Sequence, residues 1–508
     1  MNYLRFVALG VCSAVVSLLA LMSPASGGEA ASAEETTTTL FQTVPGLVQG
    51  EGGMFDQPWW DAIVASSPPT YGADQVQFGN GPDMDQARED LVTGQADFAV
   101  AEGPLTGPLC TSSGMTTTSL GQSCTLSDEV GVYSDEAGTA AANGLTVAYI
   151  PVAMEAVAVP FIDIPPTGCS QGNGAGTVAD PYGCTLVPTI NMSPSTLQTV
   201  FEGASPDWSI PAIEADNNGQ GFTSTVTDGA PFPATLVDAD ASTSALVSYF
   251  LANPQAASDW DQWAGQAYGT PVNTVVYEWP KRAPTSEGSQ FQESDMIADL
   301  VPPNPATPSQ ADVMGAWAPQ FSISAIPWSW TFPSYTKYPV ANLPDISIEN
   351  AAGAFVEPNY ASMEAAFTHA ALDESSNLVT FSDSSTDEAA YPAEMMTTDY
   401  VEVPLNDEVP DKASTMAGFL SYLLSPAGQS AICSAGYLPV VQTGLNSSEC
   451  PLASVPSAAA TLSATIASQD ANVVTELQAE AVPTTTSSTT SSTTSTSSTT
   501  TTSSTTTT

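Results

Sequence analysis

Basic side chains are what this sequence lacks. Of 508 residues only 6 are Lys or Arg and 1 is His, against 54 Asp and Glu, for a formal net charge of −48 at pH 7. The acid content is ordinary for the length, so the imbalance comes from missing cations; a salt-adapted surface would be expected to add carboxylates instead. Beyond Arg5 the basic residues are Arg88, Lys281, Arg282, Lys337 and Lys412. They are too few to build a patch for a polyanion, which excludes nucleic-acid binding. Such a chain repels itself near neutrality and becomes nearly uncharged once its carboxylates protonate, so an acidic medium is expected. The single histidine, His369, has no nucleophile or metal-ligand spacing around it and reads as structural. With no base for Ser-His-Asp chemistry and no C-x-x-C for zinc, neither an enzyme nor a cofactor or metal is expected.

Long apolar runs are equally scarce. The one from Phe6 to Met22 follows Arg5 and ends in Pro24-Ala-Ser-Gly-Gly28. That is the layout of a secretory signal peptide over residues 1–27, with cleavage after Gly27 or Ala33, an uncleaved anchor being the alternative. Cys12 lies inside the run, which argues against lipid attachment there. The expected location is secreted or cell-surface. Six cysteines then remain, and six allow fifteen pairings. They fall into close pairs, which predicts Cys110–Cys124, Cys169–Cys184 and Cys433–Cys450, each closing a small-residue loop and contributing about 3 kcal/mol on a chain-entropy view. Disulfides fit an oxidising compartment.

What is present is a strand–helix alternation. Residues 28–46 read as a flexible leader. Asp56-Gln-Pro-Trp-Trp opens a helix, with Asp56 at the cap and Pro58 in the first turn. Gln75–Phe78 reads as a strand and Met84–Val92 as an amphipathic helix stopped by Gly94. Phe98-Ala-Val-Ala101 is an apolar strand that breaks at Glu102-Gly-Pro. Strand, tight turn and one polar side chain at a sheet edge is how α/β folds present a ligand contact, although an ordinary junction with a solvated Glu102 reads the same way. Thr146–Val152 and Ala156–Pro160 read as two strands of a hairpin or crossover. Ser193-Pro-Ser with Gly203 beyond brackets a helix. Ala234–Val237 is a strand, Asp238–Ser244 a polar turn, and Ala245–Leu251 a helix start. Residues 253–345 are rich in Pro and Trp with little periodicity; Trp260, Trp263, Trp317, Trp328 and Trp330 read as packing before a carbohydrate platform. Further helices are expected at Ser362–Ala371, Ala413–Leu424 and Ala458–Glu480, with strands at Thr398–Pro404 and Gly436–Val440. From Pro483 onward nearly every residue is Ser or Thr. That tail, within 481–508, cannot bury a core and suggests a stalk with cell-wall association.

Several of these stretches, in this order, resemble the periplasmic phosphate-binding proteins of ABC transporters. Gly53-Met-Phe55 resembles their first ligand loop, and Thr93–Leu105 their Thr-Val-Asp-Phe-Gly-Ala-Ser-Asp-Ala-Pro-Leu segment. Ile150-Pro-Val, Ala156-Val-Ala-Val, Leu197–Gly203 with Trp208, Asn350–Pro358 and Gly436–Pro439 follow suit, so the likeness covers residues 47–440. It implies an α/β protein of two lobes and a hinge with mixed sheets: 47–145 and 400–480 as one lobe, 146–399 as the other, and the stretch around 253–345 an insertion. It also implies a small solute such as phosphate bound between the lobes, and an ABC permease as partner.

The implied ligand residues are Met54, Phe55, Asn80, Gly81, Glu102, Asp238, Asp240, Ser242, Thr243 and Ser244. Glu102 falls where the family has a proton-accepting Asp. Asp238 falls where it has an Arg, which turns attraction for an anion into repulsion. Three outcomes are open: binding in acid, a neutral or cationic solute, or a structural surface protein that keeps the fold without phosphate binding.

Overall fold

The computed structural model describes residues 46–53, 56–66, 75–80, 84–103, 136–161, 189–202, 210–220, 232–236, 241–268, 279, 289–291, 322–324, 326–331, 345–406, 409–452 and 457–481. All of them belong to one compact unit, Val44–Thr508. β1 (Val48–Gly52), α1 (Gln57–Ser66), β2 (Val76–Asn80), α2 (Met84–Val92) and β3 (Phe98–Glu102) alternate as the sequence predicts. Next come α3 (Glu136–Asn143), β4 (Val147–Ala158), β5 (Asn191–Met192), α4 (Pro194–Phe201) and α5 (Pro211–Asp216). β6 (Phe232–Leu236), α6 (Ala241–Ala252), α7 (Pro254–Tyr268), β7 (Ser289–Phe291), β8 (Ser322–Ser324), β9 (Ile326–Pro327) and the single turn α8 (Trp328–Thr331) follow. The chain continues with β10 (Ser347–Glu349), β11 (Phe355–Val356), α9 (Tyr360–Phe367), β12 (Ala371–Asp373) and β13 (Leu378–Thr380). It returns through β14 (Met396–Pro404), α10 (Pro410–Leu423), α11 (Pro426–Ser434), β15 (Leu438–Pro439) and α12 (Ser457–Glu480).

The fold is mixed α/β. Its main sheet runs β15-β4-β14-β3-β1-β2, with β9 added against β4. β1 pairs in parallel with β2 and β3, whereas β14 lies antiparallel between β3 and β4. Two apolar cores form on this frame. The first joins Val48, Trp59, Phe98 and Val100 to Ile150, Val152, Val401, Val403 and Phe419. The second takes Met154 and Val157 of β4 and packs them with Leu197, Phe250, Trp260, Ile348, Phe367 and Met396. β4 and β14 therefore each supply side chains to both cores, and they are the strands along which the two cores join.

Three readings from the sequence are corrected. The two strands read at Thr146–Val152 and Ala156–Pro160 are one, Val147–Ala158. Pro151 cannot donate to a ladder, and the pairing with β14 shifts register between Asp399 and Tyr400, where Ala153 and Pro151 are the successive partners. That irregularity accommodates the proline without ending the strand. Ser242, Thr243 and Ser244 are not a turn but the first turn of α6. The Pro/Trp-rich stretch also opens with a 15-residue helix, α7. The Asn253 side chain accepts from the N–H groups of Gln255 and Ala256, which caps it. Ala256, Trp260 and Ala264 are its buried positions, a helical stripe at spacing four. Trp260 packs against Phe250, Trp263 and Trp279 and Trp328 is buried, so these tryptophans are core.

Cys433 and Cys450 form the predicted disulfide, with Cα atoms 5.3 Å apart. The other two predicted pairs lie outside the described residues, as do the signal segment, Trp317 and the Ser/Thr tail. Among the described residues no helix is long and apolar enough to cross a membrane.

Close packing of β1 on β3 depends on a missing side chain. A Cβ at Gly50 would lie 2.0 Å from the Phe98 ring, which is fully buried. Gly50→Ala is therefore expected to destabilise the protein by about 1–3 kcal/mol through forced repacking, read as a lower midpoint in urea unfolding. An unchanged midpoint would mean that the ring has room to move.

Candidate functional site

The parallel strands β1, β2 and β3 end at one edge of the main sheet, and Glu102 is the last residue of β3. Side chains alternate along a strand, so Glu102 shares a face with Phe98 and Val100, both members of the first core. On the neighbouring β14, Asp399 is in phase with Val401 and Val403 and faces the same way. Asp399 and Glu102 are direct cross-strand partners. Asp56, immediately before α1, completes a group of three: carboxylate oxygens of Asp56, Glu102 and Asp399 all lie within 4.8 Å of one another. Asp56 and Asp399 are buried. Gly52 forms part of the floor, since a Cβ there would come within 2.8 Å of Asp56 Oδ2.

Like charges opposite each other on antiparallel strands are destabilising, and burial strengthens the repulsion. Asp399 shows this most clearly. It is 0% exposed, and neither of its carboxylate oxygens has a hydrogen-bond partner among the described residues. Burial pushes its carboxyl up to about 8. The buried Tyr437 stands beside the group: burial raises its phenol well above the ordinary value, and the charges of Glu155, Asp399 and Asp56 add to that.

The opposite face of β14 handles its acid differently. Glu402 is also 0% exposed, but Arg88 Nε of α2 donates to its Oε1 at 3.2 Å. A second guanidinium nitrogen donates to the Gly103 carbonyl at 2.5 Å. Arg88 thus ties α2 to β14 and to the turn that presents Glu102. Burial still outweighs the guanidinium, and the Glu402 carboxyl rises to about 7.

Of the ligand residues inferred from the sequence, Glu102 sits in this group. Asn80 ends β2 opposite Gly52, at the same sheet edge. Ser242 and Thr243 are buried and Ser244 half-buried in the first turn of α6, where Ser244 Oγ donates to the Ala241 carbonyl. Met54, Phe55, Gly81, Asp238 and Asp240 lie outside the described residues. Asp56 and Asp399 were not selected from the sequence as site residues. The signal for Asp399 was available: an acid in phase with Val401 and Val403 in an apolar strand occupies a core-facing position. His369 pairs with Asp387 at 2.9 Å, away from the group.

No family model and no curated protein matches this sequence. Solved structures do. The chain is similar, at low identity, to phosphate-binding proteins. A high affinity periplasmic phosphate-binding protein bound with phosphate is 13% identical at a TM-score of 0.47, covering 79% of this chain and 91% of that one. A phosphate-binding protein from Stenotrophomonas maltophilia is 12% identical at 0.44, covering 79% and 91%. An ABC-type phosphate transport receptor from Vibrio cholerae is 11% identical at 0.34, covering 77% and 99%.

The Arg88 bridge has a direct test. Arg88→Met strands Glu402 without a counter-charge, and with that carboxyl at about 7 the loss of stability should be larger near pH 8 than near pH 5 by up to about 1.4 kcal/mol. Near pH 5 Glu402 is protonated and this extra loss should be absent, and adding Glu402→Gln to Arg88→Met should remove the pH dependence, because the amide does not titrate. Urea unfolding of the single and double variants at both pH values would show this. An equal loss at both values would contradict the charge argument.

Proposed function

We propose that the chain is an extracytoplasmic solute-binding protein that captures phosphate or a related small solute and delivers it to an ABC permease. The observation that carries this reading is the position of Glu102. It closes a buried strand at the sheet edge where α/β folds take ligands, beside the opening of α1, and it is the position where the sequence resemblance places a proton-accepting acid. A hydrogen phosphate can donate its proton to such a carboxylate, while N–H groups at the start of a helix donate to the anion's oxygens. The lobes would be residues 47–145 with 400–480 against residues 146–399. The two cores follow that division only in part, since Ile150 and Val152 pack in the first core while Leu438, Val440 and Ile466 pack in the second.

The acids argue for work at low pH. With Asp238 in place of a cation, a fully ionised pocket repels phosphate, whereas protonated carboxyls do not. The stability of the fold points the same way. Burial raises Glu51, Glu394 and Glu402 to about 7 and Asp470 to about 8. A carboxyl whose folded value exceeds its unfolded one contributes stability that is fully present below the unfolded value and is lost as pH rises through the folded value. For this set the loss runs from about pH 4 to about pH 8.

Two measurements test the reading. Isothermal titration with phosphate should give saturable binding near pH 4.5, loss of binding in Glu102→Gln, and binding that extends to about pH 7.5 in Asp238→Arg. If neither wild type nor Asp238→Arg binds at either pH, the chain is not a phosphate receptor. For the acidic medium, Asp470→Asn isolates one group. Asp470 accepts from Asn377 Nδ2 at 2.8 Å and stands beside the Tyr400 phenol. The variant should gain at least ~1.4 kcal/mol over wild type near pH 8, equivalent to a tenfold change in proton affinity, and almost nothing near pH 4. A wild-type stability that peaks at neutrality would overturn the acid reading.

A further inference from the structure

We propose that Asp56, Glu102 and Asp399 form a binding site for a divalent cation, with Ca2+ the favoured ion. The inference stands on the geometry of these three side chains and holds whether or not phosphate binds. Three carboxylate oxygens within 4.8 Å of one another can share one ion. Asp399 supplies a second, separate observation: it is 0% exposed, has no hydrogen-bond partner among the described residues at either oxygen, and reaches into the group. Buried carboxylates are ordinarily paired with a cation, hydrogen-bonded or ligated to a metal, and at Asp399 no hydrogen-bond or ion-pair partner is found among the described residues.

Charge magnitudes decide what could balance the group. The start of α1 contributes roughly half a positive charge, a fraction of one carboxylate. A divalent ion offsets two of three charges at once. The donor set is all oxygen, with no sulfur or imidazole, which selects a hard cation. Ca2+ with metal–oxygen distances of about 2.3–2.6 Å spans opposed oxygens up to about 5 Å apart, whereas Mg2+ at about 2.0–2.1 Å spans only about 4.2 Å and demands a stricter octahedron. Ca2+ therefore fits the looser spacing. The long-range field favours binding of any divalent cation, since a chain of net charge −48 concentrates cations around itself.

The experiment uses the full chain, stripped with a chelator and kept phosphate-free near pH 7.5, at constant ionic strength so that screening of the surface does not change. Titration with CaCl2 should give one saturable site and a rise in Tm of a few degrees, with MgCl2 weaker. Asp399→Asn should lose affinity by at least about tenfold and lose the Tm response. It should nonetheless melt no lower than metal-free wild type, because an amide keeps the shape of the carboxyl and cannot ionise in a buried place. If that variant fails to fold, Glu102→Gln carries the same comparison. Glu374→Gln, in an exposed turn away from the site, should bind like wild type. No saturable Ca2+ heat in wild type, or equal binding by wild type and both site variants, overturns the site and leaves the group as carboxylic acids sharing protons.

Discussion

A central strand that carries two buried carboxylates on opposite faces sets the terms for this structure. β14 is covered by strands on both sides, and Glu402 and Asp399 are each fully buried within it. A carboxylate in such a place costs several kcal/mol unless it is neutralised. On one face the chain commits one of its rare arginines, and that guanidinium also fixes the turn after β3. On the other face Asp399 meets Asp56 and Glu102 instead. Much of the distinctive chemistry at the sheet edge follows from this asymmetry, because one buried acid has a counter-charge and the other meets further acids.

The shortage of cations gives the surviving ones unusual structural weight. Lys412 of α10 reaches back to Asp97, whose other oxygen accepts from the Gln49 backbone, so one ion pair links α10, β1 and the start of β3. Acids without such partners are pushed toward their neutral forms, and a protein built this way is held together best when protons are plentiful. The composition and the buried acids therefore express one shortage of cations at two levels, the whole sequence and the interior.

Much of the scaffold was legible in the chain. The β1-α1-β2-α2-β3 unit, the terminal helix and the Cys433–Cys450 bridge follow from periodicity, capping residues and spacing. Interruptions were harder. Pro151 looked like a strand end because proline lacks a donor, yet a register shift against β14 absorbed it. Ser242–Ser244 looked like a turn because hydroxyls compete for backbone bonds, yet in context they start α6. α7 was hidden because its Pro and Trp content masked a simple stripe of Ala256, Trp260 and Ala264.

For the site, the sequence singled out Glu102, since a polar residue ending a buried strand is visible in one dimension. Asp56 and Asp399 needed the fold. One begins the first helix and the other lies some 340 residues later, and only the antiparallel insertion of β14 beside β3 sets their carboxylates against Glu102. The sequence by itself determined the charge balance, the alternation of strands and helices and one acid of the sheet-edge group, because those depend on residue types and local spacing. The tertiary structure decided which acids meet, which one is neutralised by Arg88 and which is left facing its own kind, because pairing across a sheet depends on strand order and register.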